Sequence, residues 1–115
     1  MSDIPITVIG GGVIGCAIAY ELSSNYEVLL IEKIQIPGEN QSSRNSGVIH
    51  AGIYYKPDSL KAKLCVEGNK LLYDFCDTHN VPYSRTGKLI VATTSEEEKC
   101  LESLLERADE NGVPG

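Results

Sequence analysis

The chain of 115 residues has a hydrophobic content of 42% and a net charge of −6, and it has room for about one small domain. No apolar run approaches the roughly 20 residues that cross a bilayer, so we expect no membrane span. Acidic side chains concentrate in residues 95–110 and no basic stretch balances them, which excludes nucleic acid as an expected partner.

The N-terminus and the cysteines indicate a cellular compartment. Asp3 and three successive glycines argue against a signal peptide, which needs a basic segment followed by an uninterrupted apolar one. We therefore expect a cytoplasmic protein that keeps its N-terminus. The four cysteines have neither C-x-x-C spacing nor the density of a disulfide scaffold. We expect them to be reduced and packed within helices, and no His/Cys cluster predicts a metal site.

The first three elements predict a βαβ unit. Residues 4–9 (IPITVI) form a β-branched apolar run that is typical of a buried parallel strand. Residues 13–23 place apolar side chains at helical spacing, and residues 27–32 (EVLLIE) are again apolar up to a terminal acid. Strand, helix and strand together have the length of one βαβ unit, about 30 residues.

The rest of the chain predicts a long loop, two helices and one more strand. Residues 33–47 lose periodicity and collect Pro, Gly, Asn and Ser, which is typical of a functional loop. Residues 59–80 carry an apolar stripe and predict the longest helix, with Gly68 as its weak point. Residues 87–93 (GKLIVAT) predict a strand, and Ser95 with Glu98 predicts a capping box that begins an acidic helix.

The most informative motif is GGGVIG at residues 10–15, which has the form G-x-G-x-x-G between a strand and a helix. Gly10 permits a tight turn, Gly12 lets a pyrophosphate approach the backbone, and Gly15 allows close packing of the helix on the strand. The backbone amides around Val13 and Ile14 then form an anion-binding site, because the start of a helix is electropositive.

A carboxylate completes the nucleotide signature. Glu32 ends the second strand, where it can accept hydrogen bonds from both ribose hydroxyls of an adenosine. Glu32 disfavours NADP because the carboxylate would repel the 2′-phosphate, although the neighbouring Lys33 would attract that phosphate. FAD and NAD both remain open on these residues. The loop further along offers hydroxyls, a guanidinium and backbone amides that could bind a second part of a long, flavin-bearing ligand. These groups belong to Ser42, Ser43, Arg44, Asn45, Ser46 and Gly47.

Three further segments carry a resemblance to a known family. The run NSGVIHAGIYYKPDSLKAKLCVEGNKLLYDFC, then VPYSRTGKLIVAT and NGVPG, resembles the N-terminal region of L-2-hydroxyglutarate dehydrogenases and oxidases. These belong to the FAD-dependent group that includes D-amino-acid oxidase and glycine oxidase. The resemblance implies an α/β chain with a Rossmann-like FAD-binding βαβ unit, additional helices and a strand. It also places the glycine turn and Glu32 at the ADP end of the cofactor, and residues 43–47 towards the pyrophosphate and flavin.

The resemblance also implies a reaction. An L-2-hydroxy acid such as 2-hydroxyglutarate would be oxidised to the 2-oxo acid, with oxygen, a quinone or another protein as the electron acceptor. His50 would lie near the flavin ring and is the candidate base, because imidazole accepts protons near neutral pH. Arg44 and Lys56 are candidates to bind substrate carboxylates. Peripheral association of the complete enzyme with a membrane surface stays open.

The short length leaves two kinds of alternative. Family members have several hundred residues, so we expect residues 1–115 to be the N-terminal part of an FAD-binding domain, with the remainder of that domain and the substrate domain absent. A related enzyme acting on glycerol 3-phosphate, an amine or an amino acid would keep the fold and change the substrate. A non-catalytic nucleotide-binding module or subunit would keep only the binding site.

Overall fold

The computed structural model describes residues 5–113 of an α/β chain that divides into two compact units. The described residues of the first unit are 5–48, and those of the second are 49–113. The regular elements are β1 (Ile6–Ile9), α1 (Val13–Ser23), β2 (Val28–Ile31), a single 3-10 turn (Gln41–Ser43), α2 (Leu60–His79) and α3 (Ser95–Glu110). The α/β class and the three helices are as the sequence predicts. Strands β1 and β2 are shorter than the predicted ranges 4–9 and 27–32, and Glu32 follows β2 instead of ending it. Residue 4 of the first predicted strand lies outside the described residues.

The first unit is built on the predicted βαβ arrangement. Strands β1 and β2 pair in parallel, with Ile6 opposite Val28 and Ile9 opposite Ile31. Alternate side chains of both strands are half-buried, while Ile9 is 84% exposed at the end that leads into the glycines. The amide of Gly10 donates to the carbonyl of Ile31 at 2.8 Å, which extends the pairing by one residue. The carboxyl ends of both strands therefore lie side by side.

Helix α2 forms the long element of the second unit. Ser59 caps its start by accepting the Ala62 amide at 3.1 Å, and Asn80 ends it in the left-handed conformation with φ of 55°. Ala62 and Cys76 are its buried residues. Gly68, predicted as a weak point, lies within an uninterrupted helix, because the helical hydrogen bonds on either side outweigh the propensity cost of a single glycine, about 1 kcal/mol.

The capping box of α3 lies one residue before the predicted position. Thr94, not Ser95, is the N-cap: its hydroxyl accepts the Glu97 amide at 3.2 Å, and the Glu97 carboxylate accepts the Thr94 amide at 3.2 Å. Glu97 also accepts the amide of Thr93, and these bonds lower the pKa of the Glu97 carboxyl. The predicted pairing of Ser95 with Glu98 is therefore wrong. The sequence TTSEEE offers the same spacing in more than one register.

The predicted strand at residues 87–93 is not formed. The structure assigns no regular element there, and the side chains of Leu89 and Val91 are 87% and 66% exposed. A strand is stabilised by hydrogen bonds to a neighbouring strand, so a short apolar run such as LIVA does not by itself create one. Within residues 5–113 the sheet contains only β1 and β2.

The cysteines follow the prediction in part. All four are free thiols; Cys76 is buried and Cys16 and Cys65 are half-buried, but Cys100 is exposed and so does not pack in a core. Over residues 5–113, no three or more His, Cys, Asp or Glu side chains are grouped so that they could hold a metal ion. None of the helices described is long and apolar enough to cross a membrane.

Candidate functional site

The turn between β1 and α1 requires glycine at two of its positions. Gly10 has φ of +106°, a backbone conformation that side chains with a Cβ rarely adopt. A Cβ added to Gly15 would overlap the carbonyl oxygen of Gly10, so the first turn of α1 packs directly on the backbone that enters it. The turn thus brings the start of α1 against the end of β1, as the glycine spacing predicts.

The start of α1 faces the loop that follows β2. Gly12 is the N-cap residue, and the first turn of the helix contains no acidic side chain. Ser42 accepts the Val13 amide at 2.9 Å, and a Cβ on Gly12 would lie 3.2 Å from the same hydroxyl oxygen. The Ser42 hydroxyl oxygen therefore occupies one of the positions at the helix N-terminus where a ligand oxygen atom could accept a backbone amide.

The Glu32 carboxylate joins the end of β2 to the glycine turn. Its Oε2 accepts the Gly11 amide at 2.6 Å, and its Oε1 accepts the amides of Lys33 at 2.8 Å and Ile34 at 3.2 Å. The bond from Gly11, followed by that from Ile34, holds the pKa of Glu32 below its usual range, against the opposing effect of partial burial. A carboxylate has about four acceptor positions, so one position is left over for a ligand hydroxyl.

The loop after β2 is ordered by its own polar side chains. Asn45 donates from Nδ2 to the carbonyl of Ser42 at 2.7 Å and accepts the Gly47 amide at 2.7 Å through Oδ1. The Ser43 hydroxyl donates to the carbonyl of Glu39 at 2.6 Å. Arg44 and Ser46 are exposed. The polar run 42–47 is thus a folded loop, in which Ser42 turns towards the helix.

Two cavities open beside these groups. One, of about 350 Å³, is bordered by Gly10, Gly12, Glu32, Lys33 and Ser42 among others. The other, of about 500 Å³, lies along the start of α1 and includes Val13 and Ser43 in its wall. Cavities of this size are typical of small-molecule sites, which run to roughly 300–1,000 Å³. The cavities thus bring together part of the candidate set. Seven candidates border one or both cavities, namely Gly10, Gly12, Val13, Glu32, Lys33, Ser42 and Ser43. The other candidates of the first unit border neither: Ile14, Gly15, Arg44, Asn45, Ser46 and Gly47.

His50 lies in the second unit, where its backbone is held more firmly than its side chain. The imidazole is exposed. The carbonyl of His50 accepts Asn69 Nδ2 at 3.1 Å and Cys65 Sγ at 3.5 Å, both from α2. Lys56, the other candidate in this unit, is exposed.

Residues 5–115 match the family described as FAD dependent oxidoreductase, abbreviated DAO. The chain belongs to this family of FAD-dependent oxidoreductases. It is 49% identical to the mitochondrial L-2-hydroxyglutarate dehydrogenase of Dictyostelium discoideum, covering 95% of this chain and 25% of the relative. It is 46% identical to the L-2-hydroxyglutarate dehydrogenase of Indibacter alkaliphilus (98% and 29%) and 47% identical to the mitochondrial enzyme of Homo sapiens (99% and 25%). The chain therefore spans about a quarter of the length of these relatives.

The first unit fits the ADP half of FAD, the cofactor of this family. The Gly12 backbone carries no Cβ where a pyrophosphate would approach, and the amide of Val13 already bonds an oxygen atom. The ionised Glu32 beside the same turn suits a ribose hydroxyl. These residues could hold the adenosine diphosphate portion through backbone amides at one end and a carboxylate at the other.

Sequence reasoning missed the contacts made by three polar residues. It predicted Glu32 as a ribose ligand but did not predict the hydrogen bond that Glu32 accepts from the Gly11 amide, 21 residues away. It also missed Asn69 and Asn111, which donate to backbone carbonyls of residues 50–55. Asn111 precedes a glycine at the end of α3, so local patterns predict a helix end and give no sign of a partner 56 to 59 residues away.

Proposed function

We propose that this chain is the N-terminal part of the FAD-binding domain of a longer enzyme that oxidises an L-2-hydroxy acid, such as 2-hydroxyglutarate, to the 2-oxo acid. Membership of the FAD-dependent family and 46–53% identity to L-2-hydroxyglutarate dehydrogenases support the proposal. The observation that supports it most is the bond between the Glu32 carboxylate and the Gly11 amide, because an acid beside the glycine turn suits a nucleotide whose phosphates the turn would bind.

Residues of the first unit would bind the cofactor. Backbone amides at the start of α1 would bond the pyrophosphate, and Ser42 would give up its place on the Val13 amide to a phosphate oxygen. Glu32 would accept a ribose hydroxyl while its bonds to three backbone amides keep it ionised. Ser43, Arg44, Asn45, Ser46 and Gly47 would border the pyrophosphate and the flavin, with Lys33 beside the ribose.

Bound FAD supplies a two-electron acceptor for the hydride on C2 of the hydroxy acid. His50 would take the proton of the C2 hydroxyl, so that the C–H and O–H bonds break as the carbonyl forms. The exposed imidazole, on a segment whose backbone is held by α2, supports this role. A base of this kind contributes a factor of about 10²–10⁴ to the rate.

The test uses the complete enzyme, meaning the longer protein to which we assign this chain. It should purify with a flavin absorbance band near about 450 nm, and it should turn over L-2-hydroxyglutarate faster than glycerol 3-phosphate or amino acids. Oxygen consumption compared with quinone or protein reduction identifies the electron acceptor. A colourless protein that binds no FAD would overturn the cofactor assignment, and turnover of one of the other substrates alone would overturn the hydroxy-acid assignment.

The base assignment has its own test. His50→Ala should lower kcat by about 10²–10⁴-fold, and added imidazole should restore part of the loss because it can replace the missing group. His79→Ala, at the end of α2, is the control and should keep full activity. A His50→Ala enzyme with unchanged kcat would contradict the assignment of the base and leave the cofactor assignment intact.

A further inference from the structure

The backbone of residues 50–55, which we name the His50 segment, is held by side chains. It contains no helix or strand, so its carbonyl groups lack the regular partners that those elements supply. The carbonyl of His50 accepts Nδ2 of Asn69 at 3.1 Å. Because Asn69 lies in the middle of α2, the bond ties the residue that carries the imidazole to a 20-residue helix.

A second asparagine holds the other end of the His50 segment. Nδ2 of Asn111, just after α3, donates to the carbonyl of Gly52 at 3.1 Å and to that of Tyr55 at 2.9 Å. A side-chain amide nitrogen has two hydrogens, so one group can bond both carbonyls. Since both partners are acceptors, the atom that faces them has to be the nitrogen and not the oxygen of the amide.

The turn that Asn111 holds has little freedom to change. Gly52 is buried and has φ of +100°, and a Cβ there would lie 3.0 Å from Cγ2 of Val66. Within the turn, the Tyr55 amide donates to the Gly52 carbonyl at 3.4 Å, a weak bond. The two bonds from Asn111 are shorter than this internal bond, so the external amide contributes most of the hydrogen bonding that fixes the turn.

We propose, taking His50 as the base of the proposed function, that Asn69 and Asn111 are positioning residues that hold the His50 segment in its reactive conformation. Asn69 fixes the carbonyl of His50 itself, and Asn111 fixes the turn that begins two residues later. A base has to stand within hydrogen-bond distance of the hydroxyl proton, and small displacements of such a group cost large factors in rate. Neither asparagine takes part in the proton transfer.

Isosteric variants test the proposal in the complete enzyme. Asn69→Asp and Asn111→Asp keep the shape and replace a donor by an acceptor that repels the carbonyls. Each should lower kcat about tenfold, which corresponds to the loss of one or two hydrogen bonds, and change KM by less than about twofold. In Asn111→Asp, hydrogen exchange of the Tyr55 amide, which donates within the turn that Asn111 holds, should rise by about the same tenfold factor. Asn80→Asp, at the exposed end of α2, makes the same charge change and is the matched control.

A double-mutant cycle separates positioning from general destabilisation. If the asparagines act through the imidazole, Asn69→Asp and Asn111→Asp should cost no further activity in a His50→Ala enzyme, because coupled residues are not additive. A purely structural role predicts the same loss in both backgrounds. If an aspartate variant fails to retain flavin, Asn69→Ala or Asn111→Ala removes the donor without adding charge and replaces it in the cycle.

The possible outcomes distinguish this proposal from the function on which it rests. Unchanged kcat in His50→Ala overturns the base assignment, and the positioning role is overturned with it. A large loss in His50→Ala, together with aspartate variants that match Asn80→Asp in kcat and in hydrogen exchange, overturns the positioning role alone. An equal loss from the aspartate variants with and without the imidazole also overturns it.

Discussion

The two compact units fix their candidate functional residues by different means. In the first unit, the glycine turn is held by backbone groups and by one carboxylate, and its parts lie within one βαβ arrangement. In the second unit, the His50 segment is irregular and is held by amide side chains from the middle of α2 and the end of α3. A single motif thus builds one region, and contacts from two helices build the other.

The difference has consequences for how each region responds to change. The turn depends on the absence of side chains, so any added atom at Gly15 meets backbone and has nowhere to go. The His50 segment depends on the presence of particular donors, so the loss of one donor weakens it by the strength of a hydrogen bond or two. We therefore expect severe effects from substitutions in the turn and graded effects from substitutions that remove the asparagine donors.

The largest expected effect is that of Gly15→Ala in the complete enzyme. The new Cβ would overlap the Gly10 carbonyl, so α1 has to move away from β1, at a cost of about 3 kcal/mol or more. Thermal unfolding and flavin content measure the loss. Gly68→Ala is the matched control: nothing lies within 4 Å of its new Cβ, and it should stabilise α2 by about 0.5–1 kcal/mol. Equal midpoints for the two variants would contradict the packing described for the turn.

Glu32→Gln should have the next largest effect. The glutamine cannot accept amides through both terminal atoms, and its NH2 group would face a backbone donor. The dissociation constant for FAD should rise by about 10–100-fold, since hydrogen bonds to a charged group are roughly twice as strong as those between neutral groups. Fluorescence titration of the apoprotein measures it. Glu21→Gln, on the exposed face of α1, is the control and should bind FAD as the unchanged enzyme does.

Acid should destabilise the fold through the same carboxyl. Hydrogen bonds from Gly11 and Ile34 lower the pKa of Glu32 in the folded state, so its contribution to stability is present above the ordinary glutamate value of 4.5. That contribution disappears as the pH falls through the lowered pKa. The free energy of unfolding, measured by denaturant titration between about pH 6 and pH 3, should therefore fall at the acid end. In Glu32→Gln this acid-dependent component should be absent; an identical pH curve for both proteins would argue against it.

The smallest effect concerns the start of α3 in the second unit. Thr94→Ala removes the hydroxyl that accepts the Glu97 amide, and it should lower the free energy of unfolding by about 1 kcal/mol. Ser95→Ala, one residue further on, should change it by no more than a few tenths of that. Denaturant titration of the two variants measures both values. A larger loss for Ser95→Ala would favour the register that the sequence predicts over the register of the structure.

Local patterns predicted what local forces determine. The strand-helix-strand arrangement and the helix from Leu60 follow from apolar spacing and from glycine, serine and asparagine at helix ends, so both were predicted correctly. The prediction of a strand at residues 87–93 was wrong, because a strand forms only beside a partner strand, which the local pattern does not specify. The bonds made by Asn111 join residues more than 50 positions apart, and no spacing rule encodes them.

The most direct test of the central claim, that the face of Gly12 is where the cofactor pyrophosphate approaches, is FAD binding by a Gly12→Val variant. Gly12 has φ of −75° and ψ of 178°, which any residue adopts, so the variant should fold and keep its circular dichroism spectrum. Titration of the folded apoprotein with FAD should give a dissociation constant at least about a hundredfold higher than that of the unchanged enzyme, because the valine side chain fills the approach. A folded Gly12→Val enzyme that binds FAD as tightly as the unchanged enzyme would contradict the account.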